Sequence, residues 1–439
     1  MKNYRELIFY VSVGAGMALA TSSFTMVSGI FEIVSGLWAV VAICLAGLFC
    51  ILISSSIAEL ASMYPSSPGI RTYLKVAFGD KISLFLVHLY LIFIVLIAGV
   101  ESYVFALVIT AILPNISPLV VVLSLLTLVI FTNLLGLELP RLMQIGTALT
   151  LIISILCLGI NGFFSSAAGI GEVLSFDFSN NFQQLELLPA ATAMAVFLFI
   201  GFEWVTPLGF RPSSYERKIP MSMPIAITTN MVTYSFFVIG ISSQLTPDRI
   251  SAVSVPQVPY LVEMFGPSGV YFAGGISLLA TFSTFNAGIM GSSRLVYALS
   301  REGKLPKWCS KISLRTTAPV GAIILIGGLS LVSSIIVVTY QLELLAAIIG
   351  SSIICFVYAA FMLAVIRLRK SQPGLRRPYR TPVFAWLQWL LILIVPMIGI
   401  QSLFSQPTMP LQPALGMVVF ITIAFVLTRW SLEISKNMK

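Results

Sequence analysis

The sequence has 439 residues, of which 58% are apolar and only 9% are charged, with a formal net charge of +9. An ordinary soluble domain is about 45 to 50% apolar and about 25% charged, so this chain has too few charges to cover a water-soluble surface. The composition therefore excludes a soluble enzyme and predicts a protein that crosses a membrane several times.

Apolar stretches long enough to cross a bilayer recur along the whole chain, since a spanning helix takes about 20 residues. The predicted spans are twelve, at 8–28, 36–58, 83–111, 118–136, 143–164, 188–210, 222–243, 269–298, 318–339, 344–366, 384–404 and 412–428. The first stretch has no convincing cleavage site, so we interpret it as a retained span and not as a signal peptide. The connections reach about 25 residues at most, which leaves no room for a separate folded domain.

The positive charges lie almost entirely on one side of this topology. With the N-terminus in the cytoplasm, 24 of the 25 Lys and Arg residues fall in inner segments, and Arg249 is the exception. This asymmetry follows the positive-inside rule. We therefore expect a multi-pass protein of the cytoplasmic (plasma or inner) membrane with both termini in the cytoplasm. The basic charge reflects topology, so we expect no nucleic acid as a partner.

Two spans, five apart, contain residues that interrupt a helix. Span 1 has Gly14 and Gly16 near its middle, and span 6 combines Gly201, Glu203 and Pro207. Transporters built from two inverted repeats place broken helices at matching positions, where freed amides hold an anion and freed carbonyls hold a cation. The matched positions favour a binding site here, and the site would lie at Gly14 to Met17. The alternative is that the glycines only allow close helix packing.

Four ordered motifs resemble the amino acid-polyamine-organocation superfamily of transporters over nearly the whole chain. They are Gly14-Ala15-Gly16, Ala58-Glu59-Leu60-Ala61-Ser62-Met63-Tyr64-Pro65, Phe199-Ile200-Gly201-Phe202-Glu203, and the stretch from Ser293 to Pro306. The resemblance implies an all-α polytopic fold of the leucine-transporter type with twelve transmembrane helices. Its inverted five-helix repeats would occupy 1–164 and 188–366, two additional helices would occupy 384–428, and transport would proceed by alternating access.

The resemblance also implies where a substrate binds. A carboxylate would bind the backbone amides of span 1, an ammonium would bind carbonyls of span 6, and Phe197 would act as an aromatic gate. The implied substrate-binding residues are Gly14, Ala15, Gly16, Met17, Phe197, Ile200, Gly201 and Phe202. A purely cationic polyamine would leave the span 1 amides without an anion, so this motif favours a substrate with a carboxylate.

Two acidic residues at membrane depth are candidates for coupling or gating. Burying a carboxylate in a span is expensive, so Glu203 is predicted to exchange protons, the alternative being a hydrogen-bonded strut. Glu101 in span 3 could contact a substrate amine, shuttle a proton or only join two helices. In span 8, Ser283 and Thr284 are where related transporters complete a Na⁺ site with span 1 carbonyls. Hydroxyls are equally common as links between spans, so no metal site is firm.

These observations predict a secondary active transporter that moves amino acids or closely related amines, coupled to H⁺ or Na⁺. The alternatives are an uncoupled exchanger or exporter, a polyamine transporter, or a membrane sensor without transport. Phe, Met and Thr around the predicted site favour a neutral substrate, and the bilayer is the other expected partner. An enzyme is not expected, because no metal cluster and no Ser-Lys or Ser-His dyad occurs at helical spacing, and no cofactor beyond a coupling ion is expected.

Overall fold

The computed structural model describes residues 2–66, 69–136, 141–165, 181–208, 214–316, 318–382, 385–404 and 411–437, and these residues form helices without a strand. The α-helices in chain order are α1 (Lys2–Ala18), α2 (Thr21–Ile33), α3 (Leu37–Met63), α4 (Gly69–Ile112), α5 (Pro118–Leu134), α6 (Arg141–Phe164), α7 (Asn181–Val196), α8 (Ile219–Gln244), α9 (Pro247–Ser251), α10 (Gln257–Phe265), α11 (Gly269–Arg301), α12 (Val320–Tyr340), α13 (Glu343–Ser371), α14 (Ala385–Ser402) and α15 (Gln412–Asn437). The all-α membrane fold predicted from the sequence is confirmed.

In the described part of the chain, nine helices are long and apolar enough to cross a membrane, and the bent pair α1 and α2 raises the number to ten. Two shorter apolar helices, Pro118–Leu134 and Trp386–Ser402, lie at the fourth and eleventh predicted spans. Large apolar side chains point outward, as lipid contact requires; Phe131 is 58% exposed and Val418 is 60% exposed. The twelve-span count and the two five-helix repeats stay predictions.

Several boundaries differ from the predicted ones. The first span does not end at residue 28, because α2 continues to Ile33. Helix α4, which contains the third predicted span, starts at Gly69 instead of residue 83, and only Gly79 interrupts it, with a φ of 79° that favours glycine. Helix α4 packs against α11, α12, α13 and α15, so it lies near the centre of the bundle.

Partly buried ion pairs join the helices at one end of the bundle, which we call the basic end. The buried Arg71 guanidinium bonds Asp80 and Ser83, and its Nη2 lies 3.0 Å from Glu302 Oε2. Lys304 Nζ lies 2.6 Å from Asp80 Oδ2. These contacts join the first turns of α4 to the residues that follow α11, because Glu302 and Lys304 come directly after that helix.

A fully buried carboxylate, that of Glu59, holds α3 to α13 at the basic end. Glu59 Oε2 lies 2.6 Å from Arg369 Nη2, and Glu59 Oε1 accepts a hydrogen bond from Arg369 Nε at 3.0 Å. The Thr381 backbone amide also donates to Glu59 Oε2, at 2.8 Å. The Ala58-Glu59 motif is therefore a structural joint in this fold.

Candidate functional site

Two helices are interrupted at the centre of the bundle, and the interruptions touch each other. Helix α1 ends at Ala18, the backbone is extended at Ala20, and α2 begins at Thr21 with a bend of 54°. After α7, a 3-10 turn at Phe197–Phe199 is followed by extended backbone at Ile200 and by Gly201, whose φ is 119°. A Cβ built on Gly201 would lie 2.7 Å from Met17 Cγ, so the two breaks are in direct contact.

A cavity of about 70 Å³ lies beside the two breaks. Its walls come from the end of α1, the start of α2, α4, the residues around the second break, α11 and α12. Six of the predicted site residues line it, namely Met17, Glu101, Phe197, Ile200, Gly201 and Thr284. The other six do not line it: Gly14, Ala15, Gly16, Phe202, Glu203 and Ser283.

The first break lies one turn later than predicted. Gly14, Ala15 and Gly16 are inside α1, where backbone amides bond to carbonyls one turn earlier. A Cβ on Gly14 would lie 3.2 Å from Ala226 Cβ, and one on Gly16 would lie 3.3 Å from Ala148 Cβ. The prediction of a break at Gly14 to Met17 is therefore wrong, and the two glycines serve close helix packing.

Glu101 caps the half-helix that begins at the first break. Its Oε1 accepts a hydrogen bond from the Thr21 backbone amide at 2.9 Å, and its Oε2 accepts one from the Ser22 amide at 2.8 Å. The Thr281 hydroxyl donates to the same Oε1 at 2.7 Å. A helix N-terminus leaves its first amides unpaired and attracts an anion, and here a side chain of α4 supplies that anion.

Glu203 is enclosed by hydrogen-bond donors and does not line the cavity. Tyr90 Oη donates to its Oε1 at 3.1 Å, and Tyr358 Oη donates to its Oε2 at 3.0 Å. The Gly201 amide, freed at the second break, donates to Oε2 at 3.2 Å. Phe202 packs beside this group, with its ring centroid 5.5 Å from that of Tyr358. The carboxylate thus ties the unwound backbone to α4 and α13.

The predicted sodium ligands are both engaged in protein hydrogen bonds. Ser283 Oγ accepts a hydrogen bond from Gln144 Nε2 at 2.9 Å, and the Thr284 hydroxyl lies 3.5 Å from the Met17 carbonyl oxygen. Gln144 is 4% exposed and comes from α6. The side-chain amide of Gln144 therefore lies between α6 and α11, next to Gly16 of α1.

A sequence model described as amino acid permease matches residues 8–423. The chain belongs to this family. Amino acid transport is the function of the family, and this permease is an integral membrane protein. The gamma-aminobutyric acid permease of Escherichia coli is 25% identical over 403 residues, which cover 88% of this chain and 85% of the relative. The uncharacterized amino acid permease YecA of Bacillus subtilis is 32% identical over 134 residues, which cover 30% of this chain and 31% of that protein.

A solved structure supports the fold of the permease independently. A mutant of the Eremococcus coleocola manganese transporter matches with a TM-score of 0.60 over 99% of this chain and 96% of that chain, at 14% identity. At this low sequence identity, the match supports a similar fold and nothing about function. Among the residues described in the permease, no group of three His, Cys, Asp or Glu side chains is placed to hold a metal ion.

Sequence reasoning missed several residues that line the cavity of the permease. Trp204 lines the cavity and comes directly after the Phe199 to Glu203 motif, so the motif ended one residue short of it. Phe93 and Ile97 were missed, although they share a face of α4 with the predicted Glu101. The three residues are spaced by four, about one helical turn, and all line the cavity. Gln144, which bonds Ser283 and does not line the cavity, had no comparable signal, because one amide at the end of a span is typical of an ordinary polar boundary.

Proposed function

We propose that this permease is a secondary active transporter that moves amino acids or closely related amines by alternating access around the central cavity. The observation that carries the proposal is the contact of two interrupted helices, at Met17 and Gly201, beside a cavity at the centre of the bundle. Interrupted helices at membrane depth are tolerated where they line a cavity, and they supply backbone groups for polar substrates. The family membership and the gamma-aminobutyric acid permease among its relatives support a substrate with an amino group.

The contacts at the basic end support a gate on that side. Glu302 and Lys304, which follow α11, hold the first turns of α4 through Arg71 and Asp80. Because α11 and α4 both line the cavity, separating these ion pairs would open a path from it. In this proposal the basic end faces the cytoplasm of a plasma or inner membrane, with both termini on that side, as the distribution of Lys and Arg favours.

The coupling ion in this proposal is H⁺ or Na⁺. Sodium would be held by Ser283, Thr284 and the Met17 carbonyl, and the 3.5 Å approach of the Thr284 hydroxyl to that carbonyl supports this arrangement. Proton coupling would use Glu203 or Glu101, the two carboxylates at membrane depth near the breaks. Glu203 would link its protonation to the second break, because it binds the Gly201 amide.

An exchanger without ion coupling is the second candidate. The Gln144 side-chain amide already bonds Ser283, which is the hydroxyl that a sodium ion would need. An amide carries no charge and takes up no proton. If Gln144 keeps this position, neither an ion nor a proton is bound there to drive transport. The driving force would then come from a counter-substrate that moves in the opposite direction.

Uptake by purified permease in proteoliposomes tests these proposals. A panel of radiolabelled amino acids and amines is offered with a sodium gradient, a pH gradient or an internal counter-substrate, each imposed alone. Flux with the sodium gradient that is lost in Ser283→Ala and Thr284→Ala supports the sodium proposal, and flux only with a counter-substrate supports exchange. The transporter proposal fails if no condition drives flux of any substrate.

A further inference from the structure

The α2 half-helix already holds a carboxylate where a substrate carboxylate is expected. The two oxygens of Glu101 each accept one backbone amide, from Thr21 and Ser22, at 2.9 and 2.8 Å. In transporters with broken helices, the N-terminus of a half-helix points at the anionic group of the substrate, and here the Glu101 carboxylate occupies that position. A substrate with its own carboxylate therefore finds both amides occupied, unless Glu101 leaves them.

The described lining of the cavity gives a second carboxylate no opposite charge to pair with. Glu101 is the only ionisable side chain among the described residues that line the cavity, and no Lys, Arg or His is among them. An isolated carboxylate is costly to bury, and a like charge nearby raises that cost. A zwitterionic amino acid would bring its α-carboxylate beside Glu101. The cavity is therefore suited to a cation.

Two polar groups beside the cavity can receive that cation. A carboxylate has about four acceptor positions, and Glu101 uses three of them, on Thr21, Ser22 and Thr281. The Ser22 hydroxyl is fully buried, lines the cavity and has no hydrogen-bond partner in the described part of the chain. An ammonium has three donors and no acceptor, so it complements both groups.

The remaining wall of the cavity is mostly apolar, so it favours an apolar body on the ligand. Phe93 and Ile97 of α4, Phe197 and Trp204 beside the second break, and Ile289 of α11 surround the space next to Glu101. Among the described residues of this wall there is no second carboxylate that could pair with a second ammonium. The single carboxylate therefore favours a ligand with one ammonium group, and the apolar wall favours an apolar body.

We propose that this permease binds a primary monoamine that has an apolar body and no carboxylate, with Glu101 as the built-in partner of its ammonium. The proposal rests on the transport function proposed above and names its substrate class. The expectation that a purely cationic polyamine would leave the half-helix amides without an anion no longer applies, because Glu101 supplies that anion. Glu101 is in this view the residue that separates amines from amino acids.

Matched ligand pairs test the proposal on the wild-type permease. Binding of 2-phenylethylamine is compared with that of phenylalanine, and 3-methylbutylamine with leucine, by calorimetry on purified protein. Each amine is expected to bind at least about tenfold more tightly than its amino acid. Cadaverine, a diamine, is expected to bind more weakly than 3-methylbutylamine. Amino acids that bind as tightly as their amines overturn the proposal.

A variant of Glu101 tests the residue itself. In Glu101→Ala the amides of Thr21 and Ser22 are freed, so we expect about tenfold weaker binding of 2-phenylethylamine and tighter binding of phenylalanine. Ser102→Ala is the matched control, because the neighbouring Ser102 hydroxyl bonds Ser334 and does not line the cavity. Its ligand preference should equal that of the wild type.

The outcomes also separate this inference from the proposed function. If proteoliposomes transport amino acids and Glu101→Ala keeps the wild-type preference in a protein with an unchanged melting temperature, only the inference fails. If neither amines nor amino acids are transported or bound, the proposed function fails together with it. Should Glu101→Ala not fold, the wild-type ligand pairs still decide the question.

Discussion

Replacing Gly201 with alanine should destabilise the second break. Its φ of 119° is a backbone conformation that other residues rarely adopt, and holding a side chain there costs about 1 to 3 kcal/mol. The new Cβ would also lie 2.7 Å from Met17 Cγ and 3.1 Å from Met17 Cβ. Overpacking of this kind costs about 1 to 3 kcal/mol more, because Met17 must move with the end of α1. We expect Gly201→Ala to melt at a clearly lower temperature and to lose most of its uptake.

Thermal unfolding of the purified protein and uptake in proteoliposomes measure these two effects. Gly146→Ala is the control, because a Cβ on that helical glycine meets open space and should leave both properties near wild type. Adding Met17→Ala to Gly201→Ala should relieve the 2.7 Å contact with Cγ, but the 3.1 Å contact with Cβ and the backbone cost remain, so only part of the lost stability should return. A Gly201→Ala protein that melts and transports like Gly146→Ala would refute the reasoning.

Three further changes probe the other buried groups. Gly16→Leu should prevent folding, seen as aggregation in size-exclusion chromatography, because even a Cβ would lie 3.3 Å from Ala148 Cβ; a folded, binding-competent protein would contradict the packing role. Glu59→Gln removes the charge that Arg369 pairs with and should cost about 3 kcal/mol of unfolding free energy, lowering the melting temperature. Glu263→Gln is its control, since that ion pair is exposed and worth about 0 to 1 kcal/mol; equal losses would contradict the estimate. Glu203→Gln should flatten the pH dependence of uptake if Glu203 carries the coupled proton, and an unchanged pH profile would remove that role.

The membrane fold was predictable because the bilayer imposes a simple rule on the chain. Each spanning helix needs a long apolar stretch, and those stretches are visible in the sequence. The second break was also predictable, since Gly201 must adopt a conformation that other residues rarely reach. The helical start of α4 at Gly69 was missed, because Arg71, Lys75 and Asp80 interrupt its first turns and keep them outside any continuous apolar stretch.

The first break could not be located from the sequence, because distant residues determine it. Leu19 and Ala20 have no intrinsic tendency to end a helix. The Ala18 carbonyl is instead taken by the Tyr234 hydroxyl at 2.8 Å, and the Thr21 amide is taken by Glu101, 80 residues away. The glycines that marked the predicted break serve packing one turn earlier. A local pattern can show that a helix is breakable, but the partners of the freed groups decide where it breaks.

The same reasoning separates the two buried carboxylates. Both Glu101 and Glu203 lie in predicted spans, and the sequence favoured Glu203 for proton exchange because burying a carboxylate in a span is expensive. Glu203 is bound by the nearby Gly201 amide and two tyrosines and does not line the cavity. Glu101 reaches across from another helix to the first break and faces the cavity. A carboxylate that serves its own break stabilises that break, whereas one that faces the cavity sets the charge a ligand must carry.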